Sequence, residues 1–425
     1  MSLHVKYADI VGGVTTFFTM AYIVIVNPGI LATPGTGIPF EGALSATVLI
    51  AFSMTLLMGL YARLPFAVAP GMGLNAFFAF TIILHDGVPW QTALGMVFWA
   101  GVLFLVVSVT PLREWIALAI PPGLRMSAAT GIGLLLTFIG LRNAGLIDAD
   151  PVTLVRLGTI DHRAAFLLLG IVIAVVLIRR ENPLAFLAAI FATTALAWLL
   201  GYTAPPQRLV SPPDFSSVFL KLDITGALKL ALLPAIISIL FTDLFDSLSS
   251  FIGVSTAAGL TEPDGRPLNL RRALIVDAFA TLTSGLAGTS AGTAYVESIA
   301  GIRMGGRSGR ASVVTALCFL PCFFLAPLVS AIPTYATASV LVLVGVAMFQ
   351  TAGQINFSEL EDALPAFFTL VLIPLTFSIT QGLLWGFVLH AVLYTAVGRG
   401  REVSPMMWGL AALSTGLLLL ERFTR

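Results

Sequence analysis

Charge is what this sequence most lacks: Asp, Glu, Lys and Arg make up 10% of its 425 residues, where a soluble domain carries roughly 25%. Hydrophobic residues fill 58% of the chain and its mean hydropathy is +0.99. That balance excludes a water-soluble fold. A net charge of +1, with no basic run longer than Arg179-Arg180, excludes an electrostatic nucleic-acid partner. Cysteine is nearly absent as well. Cys318 and Cys322 lie four apart on one face of an apolar run and are too few for a metal site, so no metal and no cofactor other than a coupling ion is expected. The opening Met1–Asp9 lacks a cationic region and a small-residue cleavage site, so no removable leader is expected and the first helix should itself insert. Lysine occurs only as Lys6, Lys221 and Lys229, and the tails are short, which points to a bacterial inner membrane.

What is present is a chain tiled by apolar stretches near the ~20 residues that a bilayer span requires. Fourteen are expected: 9–31, 43–62, 66–84, 90–111, 124–146, 164–178, 184–202, 231–256, 271–286, 287–302, 311–330, 336–352, 363–379 and 381–398. The stretch 406–420 is left outside this core, in a C-terminal tail of 399–425. With the N-terminus in the cytoplasm, Arg142, Arg156, Arg163, Arg208, Lys221 and Lys229 fall outside. All other cations, including Lys6, Arg63, Arg113, Arg125, Arg266, Arg310, Arg399 and Arg425, fall inside. That bias fits a multi-pass protein with both termini cytoplasmic.

The two halves echo one another. Phe18-Thr19 matches Phe241-Thr242, the Asn75 region falls on Glu297, and Ala119-Ile120-Pro121 matches Ala331-Ile332-Pro333, all in order and at similar offsets. Two seven-helix repeats follow, 9–202 and 231–398, joined by 203–230. Seven is odd, so the second repeat enters the membrane from the opposite side, as in many secondary transporters. The expected fold is therefore an all-α integral membrane protein with inverted repeats and half-helices at segments 3 and 10.

Those two segments are broken by composition. AVAPGMGLNAFFA (67–79) places Pro70, Gly71 and Gly73 in mid-span, and GTSAGTAYVESIAG (288–301) is equally rich in Gly, Ser and Thr. Pro removes an amide donor and Gly relaxes the backbone, so each should be a strand running into a half-helix. Irregular backbone at membrane depth is tolerated where it is buried in protein or lines a cavity, and matched breaks in two halves mark a substrate site.

Four carboxylates also fall within spans: Asp243, Asp246, Asp277 and Glu297. A carboxylate at a helix centre costs about 2.5–3.5 kcal/mol, so each marks a pathway or a proton relay. Asp243 and Asp246 share a helix face with Ser247 and Ser250. Asp277 sits beside Arg271 and Arg272 and reads as a residue near a cytoplasmic end. His390 reads as a packing or gating residue.

The stretches TTFFTMAYIVIVNPGIL (15–31), APGMGLNAFFAFT (69–81), FTDLFDSLSSFIGV (241–254), GTSAGTAYVESIAGIRMGGRSG (288–309) and ALPAFFTLVLIPLTFSITQGLLWGF (363–387) resemble the AzgA-like branch of the nucleobase:cation symporter-2 family. The resemblance implies a core domain from 9–111 and 231–330, and a gate domain from 113–202 and 333–398 that pairs with a second copy as a homodimer. It implies proton symport of adenine, guanine and hypoxanthine, and no enzyme activity. Matching motif to motif carries purine-binding residues onto Gly73, Asn75, Asp246 and Glu297, and Phe245 and Ser298 beside the acids are expected to bind the substrate with them. Glu297, Asp246 and Asp243 are then the candidates for the coupling proton. One departure stands out: Ser249 replaces the glycine of the family's eighth-helix pattern, and Ser250 stands where other branches carry histidine or aspartate. The rival readings are a same-fold carrier of xanthine, uracil or an inorganic anion, an intramembrane aspartyl protease, and a channel. An anion site would favour cations over buried acids, and Asp243 and Asp246 on a single helix do not make a facing catalytic pair.

Overall fold

The computed structural model describes residues 7–110, 120–262 and 267–424. Lys6, Arg113, Arg266 and Arg425 of the charge asymmetry, and Ala119 of the repeated Ala-Ile-Pro, lie outside the described residues. The first half runs through helices α1 (Tyr7–Met20), α2 (Ile23–Leu31) and α3 (Phe40–Leu57), strand β1 (Val68–Pro70), then α4 (Met72–Ala76) and α5 (Trp90–Val109). It continues with α6 (Pro122–Asn143), a hairpin of β2 (Ile147–Asp150) and β3 (Leu154–Leu157), α7 (His162–Arg179) and α8 (Ala185–Leu199). The second half holds α9 (Leu233–Ala258), α10 (Leu270–Ala287), β4 (Gly292–Ala294), α11 (Ser298–Arg303), α12 (Gly309–Phe319) and α13 (Ala326–Ser330). It closes with α14 (Thr334–Phe349), α15 (Leu360–Thr376), α16 (Ile379–Ala396) and α17 (Pro405–Thr424).

Proline sets many of the helix starts. Pro39, Pro89, Pro121 and Pro333 stand at the N-caps of α3, α5, α6 and α14, where a missing amide costs nothing. The last two belong to the repeated Ile-Pro, so that sequence echo marks equivalent helix starts. Glycine in the left-handed region stops α9 at Gly259 (φ 63°) and α10 at Gly288 (φ 97°). Among the described residues, eight helices are long and apolar enough to cross a membrane. Shorter apolar helices occupy Met72–His85, Ala185–Leu199, Gly309–Phe324 and Pro405–Leu419. The stretch set aside at 406–420 is α17, which packs along α16. The β2–β3 hairpin was not legible in the sequence, because its exposed Val152, Leu154 and Leu157 carry no alternation of buried and exposed positions.

The centre of the molecule is the crossing of the two broken spans. β1 and β4 pair antiparallel, with Val68 opposite Ala294, Ala69 opposite Thr293 and Pro70 opposite Gly292. Two further backbone bonds extend the ladder, Gly71 N to Ala291 O and Tyr295 N to Ala67 O, both 2.9 Å. All six paired residues are buried. Outer groups are satisfied by side chains: the Thr55 hydroxyl accepts from Val68 N and donates to Val68 O, each at 2.9 Å, and Ser298 Oγ accepts from Ala67 N at 3.0 Å. This satisfaction is what makes extended backbone tolerable at membrane depth, where each unpaired group costs several kcal/mol.

Around this crossing α1, α3, α5, α9, α10 and α12 pack on one another, while α6, α7, α8, α14, α15 and α16 form a second group. The groups meet where α4 touches α6 and α9 touches α16. Small residues set the spacing: a Cβ on Gly301 would lie 2.2 Å from the Gly12 carbonyl, so α11 and α1 meet backbone to backbone.

Candidate functional site

α9 carries Asp246 toward β4, and α11 begins immediately after Glu297. Both acids are half-buried among neighbours that are mostly buried outright. Tyr22, in the two-residue break between α1 and α2, donates from Oη to Glu297 Oε1 at 2.7 Å. Thr293 of β4 reaches Asp246 Oδ2 at 3.5 Å and shares a 2.9 Å hydroxyl contact with Ser247. Tyr295 neighbours both acids and ties itself to the ladder by donating to Pro70 O at 2.6 Å. The two carboxylates therefore both stand beside β4 of the crossing, each steadied by a hydroxyl.

Gly73 is partly exposed in an otherwise buried α4. A Cβ there would lie 2.4 Å from Ile132 Cγ2 of α6, so glycine at this position is required by the contact between the two helix groups. Asn75 is fully buried, donating from Nδ2 to Asn27 Oδ1 at 2.9 Å, and its own Oδ1 has no hydrogen-bond partner. Phe245 is buried in a stack on Phe241, with centroids 5.9 Å apart and planes within 7°, and Phe241 in turn meets Phe387 edge-on. Ser298 is fully buried with its oxygen engaged by the Ala67 amide, so it braces β1 behind Glu297. Ser249, the departure from the family pattern, is exposed one turn beyond Asp246 on the same face of α9.

Asp277, read from the sequence as lying beside Arg271 and Arg272 near a cytoplasmic end, is fully buried, with Asp243, Asp246, Ser247 and the Ala294 amide as its neighbours. Arg271 instead donates to Val109 O at 3.2 Å, and Arg272 lies over the Tyr61 ring at 5.9 Å. Asp243, also fully buried, accepts from the Thr281 hydroxyl, which also reaches Gly292 O at 3.0 Å. Glu297, Asp246, Asp243 and Asp277 thus form one cluster of acids, with Asp246 neighbouring both Glu297 and the buried Asp243 and Asp277.

Sequence reasoning missed Tyr22, Asn27, Thr281 and Thr293. Asn27 had a signal available, as a lone amide inside the apolar run IVIVNPGIL, where an unpartnered polar side chain would be costly. His390 is buried against Tyr394, with ring centroids 4.2 Å apart, and lines cavities of about 320 and 210 Å³ whose lining includes Pro121 and Tyr394 but none of the four acids.

Comparison with known proteins adds the following. The profile of the permease family (Xan_ur_permease) matches residues 8–384. The adenine permease AdeP of Escherichia coli (strain K12) is 40% identical over 406 residues, covering 95% of this chain and 91% of that protein. The guanine/hypoxanthine permease PbuO of Bacillus subtilis (strain 168) is 38% identical over 414 residues, covering 95% of each. Among solved structures, the transmembrane domain of the cyanobacterial bicarbonate transporter BicA superposes with a TM-score of 0.69 at 17% identity, covering 91% of this chain and 98% of that one.

Proposed function

The chain belongs to this permease family, the nucleobase:cation symporter-2 transporters, and from that membership we propose that it imports purine nucleobases by proton symport and alternating access. Adenine, guanine and hypoxanthine are the substrates named for its relatives. The observation that carries the reading is the pair of half-buried acids, Asp246 and Glu297, beside β4 of the β1–β4 crossing. Carboxylates accept hydrogen bonds from the N–H edges that every one of these bases presents. Gly73 leaves room at the contact between the two helix groups, Asn75 orients the base, and Phe245 and Ser298 hold the acids in place. The likeness to a bicarbonate transporter speaks to the fold, whereas two acids at an anion site would repel the cargo.

In this reading the coupling proton rides on Glu297 or Asp246, with Asp243 next in line, so that the loaded site crosses with one negative charge fewer. The helix group around the crossing is the moving core. The group of α6 to α8 and α14 to α16 is the gate and the face of a homodimer. Fourteen spans place both termini in the cytoplasm of a cell whose inner membrane holds the protein. Uptake of labelled adenine and hypoxanthine into cells lacking their own purine permeases tests this. Glu297→Gln and Asp246→Ala should each abolish accumulation while the protein still reaches the membrane, and a protonophore should collapse uptake by the wild type. Wild-type accumulation by both variants would sink the assignment.

A further inference from the structure

A buried chain of side chains fixes the orientation of one amide at the crossing. It starts at the Ala43 carbonyl of α3, which can only accept. Thr47 Oγ1 donates to it at 2.6 Å, and a hydroxyl has one hydrogen to give. Toward Asn27, 2.7 Å away, Thr47 therefore offers only a lone pair, so the Asn27 group facing it is the NH2. The second hydrogen of that NH2 goes to Thr289 Oγ1 at 3.0 Å, on the segment between α10 and β4. Asn27 Oδ1 is left facing α4, and Asn75 must answer it with its own NH2, at 2.9 Å. Each amide in the series has one permitted orientation, set by a backbone carbonyl two residues removed from Asn75.

The end of the chain is an acceptor without a donor. Asn75 Oδ1 is buried and has no partner among the described residues, although Asn27, Thr47 and Thr289 are each fully buried and bonded. A buried carbonyl oxygen left unpaired is costly and is retained where something else completes it. We infer that Asn27 is a positioning residue that locks Asn75 Oδ1 as a fixed acceptor for one N–H of the bound base. The inference rests on the purine reading above. With the amide free to turn over, Asn75 could accept from an N–H through its oxygen or donate to a bare ring nitrogen through its NH2. With the amide locked, it rejects bases that lack the N–H.

The test is competition for binding to the purified full-length protein. Labelled adenine and labelled hypoxanthine are displaced by purine, which lacks the amino group of adenine, and by 7-methyladenine, 9-methyladenine and 1-methylhypoxanthine, each lacking one ring N–H of its parent. In the wild type at least one competitor should bind about 10- to 100-fold more weakly than its parent. In Asn27→Leu, and in the isosteric Thr47→Val that breaks the chain without touching either amide, that penalty should shrink to about threefold. A purely steric penalty from an added methyl group would survive in both variants, and a merely structural role for Asn27 would lower affinity without changing the ratios. Wild-type binding of all four competitors within about threefold of their parents overturns the inference whether or not the variants fold. So does unchanged selectivity in whichever variant reaches the membrane. Failure of the wild type to bind either labelled base overturns the purine reading and this inference together, a result distinct from the other two.

Discussion

Tyr22 illustrates how much of the site depends on single hydroxyls. Its phenol donates to the Glu297 carboxylate, and it comes from a helix break rather than from either broken span. A hydrogen bond to a charged group contributes about 1.5–3 kcal/mol. Tyr22→Phe should therefore raise the KM for the preferred purine by at least about tenfold, with normal amounts of protein in the membrane. Uptake kinetics measure this, and an unchanged KM would remove Tyr22 from the site. Asp246 and Glu297 were legible in the sequence because a carboxylate in an apolar run is costly wherever it lies. Tyr22 and Asn27 were not singled out, since their partners lie far along the chain at Glu297, Asn75 and Thr289. The buried company of Asp277 was hidden for a related reason: its sequence neighbours Arg271 and Arg272 turn to Val109 and Tyr61, while Asp243 and Asp246 reach it from another helix.

At the level of elements, the strand and half-helix character of the broken spans followed from Pro70, Gly71, Gly73 and the Gly/Ser/Thr run of 288–293. Their antiparallel register did not, because pairing depends on which backbone groups find partners across the crossing. Thr55 is the clearest case. Its hydroxyl serves both the amide and the carbonyl of Val68, so Thr55→Val should strand two buried polar groups at about 1–3 kcal/mol each. Thermal unfolding in detergent should show a markedly lower Tm for Thr55→Val and a nearly native one for Thr55→Ser, which keeps the hydroxyl. Close packing is tested elsewhere. Gly301→Ala would press a methyl against the Gly12 carbonyl and the Thr16 hydroxyl, and overpacking of this kind costs about 1–3 kcal/mol. Reduced yield of folded protein is the expected result.

For the whole molecule, the end of α16 is tied down by charge. Arg399 bonds Glu402 through two nitrogens, at 2.9 and 2.7 Å, reaches Glu361 at 2.7 Å, and lies over the Tyr394 ring at 4.9 Å. Tyr394 meanwhile donates to Asp362 at 2.5 Å. The Arg399 guanidinium holds the Glu402 carboxyl below its usual range. A depressed carboxyl value means that the tie is present at neutral pH and is lost only as the medium is acidified through that lowered value. Arg399→Met should therefore loosen the approach to α17 at neutral pH, read as faster proteolysis near Gly400, and should make little difference in strong acid, where the wild-type tie is already gone. A fluorescent protein fused after Arg425 should fold and glow, as the cytoplasmic assignment of the C-terminus requires; a dark fusion with full activity would place that end outside.

Thr293 steadies Asp246 from β4, Glu297 follows the same strand into α11, and β4 is stitched to β1. Joined through one strand, the two acids move together in any displacement of that crossing. Under the proposed cycle, then, what travels is a cradle with its passenger, not a passenger moving between fixed acids. Such a carrier has a stroke, and the stroke must match the thickness of the lipid it works in. Turnover in vesicles should accordingly pass through an optimum as acyl chains are lengthened, while the affinity for the base stays level.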